Sequence, residues 1–293
     1  MKTYFKYFLL LIIILSACEP RKFDQDNRHI SVSILPQKYF VEKISGNYFT
    51  VNTLVPPGAS PATYEPSPRQ IKEVSKSVLY IEIGHIGFEQ VWMDRMKKIN
   101  KKMKIIDSSE GVELIGEKQI KHGDHFHEGG VDPHTWMSLK SAKIIAKNTY
   151  NAIIKIDSSL SKAFVNNYIK LMTEIDEADK YISGLLKPYE GEKFLIYHPA
   201  LSYFARDYGL TQIALESEGK NPSPAHVKEV TDIAKKNNVK AIFIQQEFDK
   251  ENAETLASEI DGKIIQINPL SINWLEEMKI TAEKLADAFK LSE

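Results

Sequence analysis

The sequence has almost no cysteine, no long hydrophobic run and no excess of charge of either sign. Its 293 residues contain one cysteine, Cys18, so no internal disulfide can form and the hydrophobic core must hold the fold. The apolar run at residues 8–15 is shorter than the roughly 20 residues that cross a bilayer as a helix. The formal net charge is −1, with acids and bases interspersed, which excludes the basic surface of a nucleic-acid-binding protein.

The familiar local motifs of hydrolases and nucleotide-binding enzymes are also absent. The sequence contains no HExxH zinc-protease motif, no GxSxG nucleophile elbow and no P-loop. A metal-dependent hydrolase stays a minor alternative, because catalytic zinc sites also use a few protein ligands and keep one position open. The sequence therefore predicts a protein that is not an enzyme.

The amino-terminal segment has the pattern of an export signal. Lys2 and Lys6 precede the apolar run, which predicts a secretory signal peptide over residues 1–17. Residues 15–18, Leu-Ser-Ala-Cys, look like a bacterial lipobox, which predicts cleavage before Cys18 and lipid attachment to that thiol. Loss of residues 1–17, with two lysines and no acid, changes the formal charge from −1 to −3. We expect an exported lipoprotein facing the periplasm or the cell exterior, with residues 18–28 as a tether.

Strand and helix patterns alternate twice along the rest of the chain. Alternation at 29–106 and again at 193–290 predicts two α/β lobes, each a mainly parallel sheet flanked by helices. Between them, apolar residues recur every three or four positions over 161–186, which predicts one long helix. We expect an amino-terminal lobe at 29–158, a linking helix at 159–189 and a carboxy-terminal lobe at 190–293. Ligands of such folds bind in the cleft between lobes, beyond the carboxyl ends of the strands.

Half of the eight histidines lie within residues 121–136, KHGDHFHEGGVDPHTW. His122, His125 and His127 lie among glycines, which predicts a mobile loop, whereas Pro133 stiffens the backbone before His134. Short histidine-rich tracts are typical of metal binding, and neutral imidazole is a favoured zinc ligand. The alternative interpretation is a solvated polar loop without a ligand.

Four motifs in order, together with the lipobox, resemble a known family of transport proteins. They are VPPGASPATYEPSP at 55–68, VDPHTWMSL at 131–139, YHPALSYFARDYGL at 197–210 and INPL at 267–270. They are similar to motifs of the metal-binding lipoproteins of zinc and manganese ABC transporters, solute-binding protein family 9, on its zinc-like branch. The resemblance implies reversible binding of one divalent ion in the cleft between the lobes and its delivery to an ABC permease. We expect the ion to be Zn²⁺, with Mn²⁺ as the alternative, and the protein to be a monomer.

The family's metal ligands carry over to this sequence only in part. The resemblance implies that His134 and His198 bind the metal. The family's first histidine is replaced by Ala62, and its usual acidic ligand is replaced by Asn268, whose amide oxygen is a weak, neutral donor. Two firm ligands are fewer than the three or four donors that zinc normally takes.

Other residues are candidates to complete the metal shell. His85 follows a predicted strand on the same rim as Ala62, and Glu247 follows the strand predicted at 239–245. Both also have an ordinary interpretation as solvated residues at strand ends. Water is a further option, as is the histidine-rich loop, in which His122, His125 and His127 are expected to capture metal.

The departures from the family pattern leave two other functions open. One is a binding protein of altered specificity, for manganese or for a chelated metal whose chelator supplies the missing donors. The other is an adhesin, a role proposed for lipoproteins of this family, although the sequence has no separate adhesive module.

Overall fold

The computed structural model describes residues 28–116, 121–122, 125–126, 130–216, 222–248 and 251–291. The predicted signal at 1–17, the lipidation site Cys18, the tether up to residue 27 and His127 lie outside these residues. No helix in the described ranges is long and apolar enough to cross a membrane.

The amino-terminal lobe is built on a four-stranded parallel sheet with the order β2-β1-β3-β4. Its strands are β1 (His29–Val32), β2 (Thr50–Thr53), β3 (Leu79–Glu82) and β4 (Lys104–Asp107). The helices between them are α1 (Leu35–Ser45), α2 (Pro68–Val74) and α3 (Gly87–Ile99). All four strands run the same way, so their carboxyl ends share one edge of the sheet.

The chain on either side of the histidine-rich stretch is paired at one place. Gly116 pairs with Val131 in an antiparallel bridge, and the Asp132 amide donates to the Ile115 carbonyl at 2.9 Å. Within the segment, β5 (Lys121–His122) pairs with β6 (His125–Phe126). The stretch predicted as a loop thus contains a two-stranded hairpin.

Two consecutive helices connect the lobes. Helix α4 (Leu139–Ile156) begins at Ser138, whose hydroxyl accepts from the Ser141 amide at 3.0 Å. Helix α5 (Ser161–Leu186) has the bounds that the apolar spacing predicts, and its buried stripe includes Phe164, Leu171, Ile175 and Ile182.

The carboxy-terminal lobe repeats the plan with a second parallel sheet, ordered β10-β9-β7-β8. Its strands are β7 (Lys193–Ile196), β8 (Thr211–Ala214), β9 (Ala241–Gln245) and β10 (Lys263–Ile267). Its helices are α6 (Ser202–Asp207), α7 (Pro224–Lys236), α8 (Glu251–Glu259) and α9 (Trp274–Lys290). The predicted fold class, two α/β lobes joined by a long helix, is confirmed.

One hydrophobic core runs through both lobes and the face of α5 between them. Two buried tryptophans also join the lobes by hydrogen bonds. The Trp136 indole donates to the Pro269 carbonyl at 2.9 Å, and the Trp274 indole donates to the Trp136 carbonyl at 2.9 Å. These contacts place the segment that follows His134 against the loop that follows β10. The division of the chain at residues 158 and 190 stays a prediction.

Candidate metal centre

His134 is held by an acidic residue two positions before it. The Asp132 carboxylate accepts from the His134 amide at 2.9 Å and lies 2.8 Å from its ring Nδ1. Pro133 restricts the backbone between them, and a 3₁₀ turn (Thr135–Met137) follows directly. The imidazole is therefore fixed in position and largely buried, with 12% of its side chain exposed.

The Asp132 carboxyl is ionised in this environment. Burial acts to raise its pKa, but hydrogen bonds from the His134 ring, the Ser202 hydroxyl and the His134 amide, with the attraction of the ring, outweigh it. The net result is a pKa below the usual range of an aspartate. An ionised carboxylate only accepts hydrogen bonds, so Nδ1 of His134 carries the hydrogen.

His198 is held in a similar way at the end of β7. Its Nδ1 lies 2.8 Å from the carboxylate of Glu216, a residue that is 5% exposed just beyond β8. The Gln245 side chain fixes the backbone here, because its amide nitrogen donates to the His198 carbonyl at 2.7 Å. The Phe248 ring stacks on the imidazole with centroids 5.0 Å apart.

The two imidazoles meet between the lobes with their free nitrogens facing each other. The His198 Nε2 atom lies 3.2 Å from the His134 Nε2 atom. Two nitrogen ligands about 2.0–2.1 Å from one tetrahedral zinc ion are roughly 3.3–3.4 Å apart. The observed separation therefore matches two ligands of a single zinc ion.

The hydrogen bonds of the two rings determine what can lie between their Nε2 atoms. When each Nδ1 donates to its carboxylate and neither Nε2 carries a hydrogen, the two Nε2 lone pairs point at each other. Two lone pairs at this distance repel unless a proton or a metal ion lies between them. Carboxylates that accept from the far nitrogen of a ligating histidine are a recurring feature of metal sites, where they orient the ring and raise its basicity.

Asp132 and Glu216 are parts of the candidate site that were not predicted from the sequence. Asp132 was visible in the sequence, since it precedes His134 by two residues with a proline between them. Glu216 had only a general signal, an acidic residue after a strand that ends on the same sheet edge as His198. Its pairing with His198 spans 18 positions and leaves no local pattern.

Asn268 lies at the end of β10, where its side chain stabilises a turn. Its Oδ1 accepts from the Leu270 backbone amide at 3.2 Å, and the Asn268 backbone amide donates to the Glu277 carboxylate at 2.8 Å. The oxygen that would bind a metal is thus already an acceptor in the loop, although its second lone pair is not used by that bond.

Glu247 lies beyond β9, beside His198. Burial raises the pKa of its carboxyl, and attraction to His198 works against that increase. Its Oε2 atom is buried without a hydrogen-bond partner. A buried carboxylate oxygen without a partner carries a desolvation cost that a cation would relieve.

His85 is an exposed residue of the turn between β3 and α3, in a left-handed conformation with φ of 64°. The loop that carries Ala62 packs on the same turn: the Phe88 amide donates to the Pro61 carbonyl at 2.9 Å. A Cβ on Gly87 would lie only 2.6 Å from the Ala62 carbonyl oxygen. His85 and Ala62 therefore occupy neighbouring positions on the amino-terminal lobe.

His122 and His125 are opposite each other in the hairpin of β5 and β6. Across the described part of the chain, no three His, Cys, Asp or Glu side chains form a group that could hold a metal ion. The structure thus brings His134 and His198 together, and it does not add His85 or Glu247 to them as a third ligand.

Comparisons with known proteins agree on a metal-transport family. The family model described as zinc-uptake complex component A, periplasmic, matches residues 30–288. The high-affinity zinc uptake system protein ZnuA of Bacillus subtilis is 26% identical over 282 residues, which cover 90% of this chain and 88% of that protein.

Two further relatives agree with this match. A crystal structure of a zinc-bound ZnuA deletion mutant superposes with a TM-score of 0.82 at 34% identity, covering 89% of this chain and 98% of that one. The zinc-binding lipoprotein AdcA of Streptococcus pneumoniae is 25% identical over 279 residues, 92% of this chain but only 55% of that protein.

Proposed function

Because the chain belongs to the family of periplasmic zinc-uptake components, we propose that it captures a divalent transition metal between its lobes and delivers the ion for uptake. Zinc is the expected ion, and manganese is the alternative. His134 and His198 are the two proposed histidine ligands, one from each lobe.

One observation carries the proposal: the 3.2 Å between the Nε2 atoms of His134 and His198. The rings come from separate lobes, each has a carboxylate partner on Nδ1, and the pair has the spacing of two nitrogen ligands on one zinc ion. A site assembled from both lobes suits reversible capture, since separation of the lobes would break the ligand set.

Two protein nitrogens leave the zinc shell incomplete, and we propose Glu247 as the third ligand. Its unpartnered buried Oε2 beside His198 supports this role, because ligation would satisfy that oxygen. The side chain must rotate toward the pair on binding, since it does not form a three-ligand group with the pair as it stands. Asn268 and His85 are weaker candidates, and water is the expected fourth donor.

The Glu247 proposal is tested with a pair of substitutions that differ in charge and size. Glu247→Gln should weaken zinc binding at least tenfold, and Glu247→Asp should recover part of the loss because it restores a carboxylate. Glu251→Gln, a change of the same kind at the exposed start of α8, is the control. Equal zinc affinities for Glu247→Gln and the parent would exclude Glu247 as a ligand.

The proposed partners follow from family membership and from the amino-terminal pattern. The family is described as a periplasmic component of a zinc-uptake complex, so we propose an ABC permease as partner and no catalytic reaction for this chain. We further propose that Cys18 carries a lipid that anchors the exported protein to a membrane, and that the protein acts as a monomer.

The proposed function is tested by titration of the chain from residue 19 onward with zinc and with manganese. The expected result is one tight zinc site that is lost in both His134→Ala and His198→Ala. A full four-ligand zinc site contributes about 10–16 kcal/mol, so the loss of one strong donor should cost several kcal/mol. Unchanged tight binding in both variants would place the metal elsewhere. Tighter binding of manganese than of zinc would favour the altered-specificity alternative.

A further inference from the structure

One short helix of the carboxy-terminal lobe is connected to both proposed metal ligands. Helix α6 begins at Ser202, four residues after His198, and packs on the 3₁₀ turn that follows His134. The helix is therefore close to His198 in the sequence and packs against the turn next to His134. The long helix α5, in contrast, joins the lobes along their shared core.

Tyr203 is the centre of this contact. The residue is fully buried, and its hydroxyl accepts from the Ile115 amide at 3.1 Å and donates to the Asp132 carbonyl at 2.8 Å. Asp132 is the residue whose carboxylate orients the His134 ring. A side chain of the carboxy-terminal lobe thus bonds directly to the residue that aims the ligand of the other lobe.

The remaining polar residues of α6 fix the same segment at further points. The Ser202 hydroxyl hydrogen-bonds to the Asp132 carboxylate. The Asp207 carboxylate, 3% exposed, accepts from the Ser138 hydroxyl at the start of α4. The Arg206 guanidinium donates to the Glu113 carbonyl at 3.0 Å.

From these contacts we infer that α6 sets the separation of the two histidines, with Tyr203 as its main positioning residue. The inference rests on the proposed function, in which one metal ion is held between His134 and His198. Metal–ligand distances tolerate deviations of about 0.2 Å. A contact that holds the Asp132–His134 segment against α6 therefore decides whether both nitrogens reach one ion.

The test compares two buried tyrosines of the same motif. Tyr203→Phe removes the hydroxyl that bonds across the lobes and leaves the Ile115 amide and the Asp132 carbonyl without this partner. Tyr208→Phe removes a hydroxyl that donates to Asp179 of α5 at 2.8 Å, away from the site. Both variants lose one buried hydrogen-bonding group, so a general loss of stability should affect both.

Zinc affinity of the purified full-length protein should fall at least tenfold in Tyr203→Phe and stay within twofold of the parent in Tyr208→Phe. The absorption bands of the cobalt(II)-substituted protein, which report ligand geometry, should change only in Tyr203→Phe. Equal effects of the two variants on affinity, or no effect of Tyr203→Phe, would overturn the inference.

A milder variant keeps the test decisive if Tyr203→Phe does not fold. Ser202→Ala removes the hydroxyl that bonds to Asp132, and it should weaken zinc binding at least threefold. Parent-like affinity in Ser202→Ala would overturn the role of α6. His134→Ala tests the proposed metal site separately from the role of α6. If this variant binds zinc like the parent, the proposed site itself is wrong.

Discussion

At the residue scale, the proposed metal centre depends on two contacts in which a carboxylate hydrogen-bonds to the imidazole of a histidine. Asp132 and Glu216 each lie 2.8 Å from Nδ1 of one imidazole, which leaves both Nε2 atoms open to the proposed metal ion. The histidines were identifiable from the sequence because they belong to recognisable motifs. Their spacing of 3.2 Å and the role of Glu216 were not, because they depend on how the lobes pack.

The replacement of the family's first histidine by Ala62 leads to a prediction about affinity. Ala62→His should tighten zinc binding by about tenfold, equivalent to about 1.4 kcal/mol, because an imidazole would replace water on an incomplete shell. The measurement is a zinc titration against a competing chelator.

His85→Ala is the matched experiment, since His85 lies in the turn on which the Ala62 loop packs. If His85 already supplies the missing donor, its removal will weaken binding and Ala62→His will add little to the parent. No change from Ala62→His in either background would mean that the loop at 57–68 does not line the metal site.

A buried acid in the amino-terminal lobe gives a pH-dependent prediction for stability. Burial raises the pKa of Glu89 to about 8, although its carboxylate accepts from the Ile83 and Gly84 amides at 2.9 and 2.8 Å. Because this pKa is higher in the folded than in the unfolded chain, the acid stabilises the fold at low pH. That contribution is lost as pH rises through 8.

Glu89→Gln removes this titration. Relative to the parent, the variant should gain about 4 kcal/mol in free energy of unfolding between pH 5 and pH 9. Urea unfolding at the two pH values measures the difference, with Glu65→Gln on an exposed loop as the control. A constant difference between variant and parent across this range would show that Glu89 does not titrate with a raised pKa.

At the element scale, the two ends of the histidine-rich segment, Gly116 and Val131, are paired with each other in an antiparallel bridge. This bridge and the hydrogen bond from the Asp132 amide to the Ile115 carbonyl hold the two ends of the segment together, and neither contact involves residues 121–128. Deletion of residues 121–128 should therefore leave the tight zinc site intact and remove weaker zinc equivalents bound by His122, His125 and His127.

Zinc stoichiometry at high metal concentration, together with affinity at low concentration, checks the deletion. Loss of the tight site would show that this segment supplies a true ligand. A deletion variant that keeps every weak equivalent would show that the histidine-rich stretch does not capture metal.

Element bounds were largely predictable from the sequence, because apolar spacing and turn residues are local signals. The helix at 161–186 has the predicted bounds, and the strand predicted at 239–245 is observed at Ala241–Gln245. The function of α6 was not predictable. Its central bond joins Ile115 to Tyr203, 88 positions apart, and leaves no local pattern in the sequence.

At the scale of the whole molecule, the two lobes share one core and are also tied by side chains. The core runs from the amino-terminal sheet through α5 into the carboxy-terminal lobe, and the Trp136–Pro269 and Trp274–Trp136 bonds join the lobes beside the proposed metal centre. Each lobe supplies one of the two proposed histidine ligands, so the proposed site exists only when both lobes are packed together.

The central claim is that one zinc ion is bound between His134 and His198. The most direct measurement is the anomalous scattering of a crystal of the one-to-one zinc complex, collected at the zinc edge. The account predicts one strong peak about 2.0–2.1 Å from both Nε2 atoms, with Asp132 and Glu216 still on the Nδ1 atoms. A main peak at His122 or His125, or one bound to only one of the two rings, would contradict it.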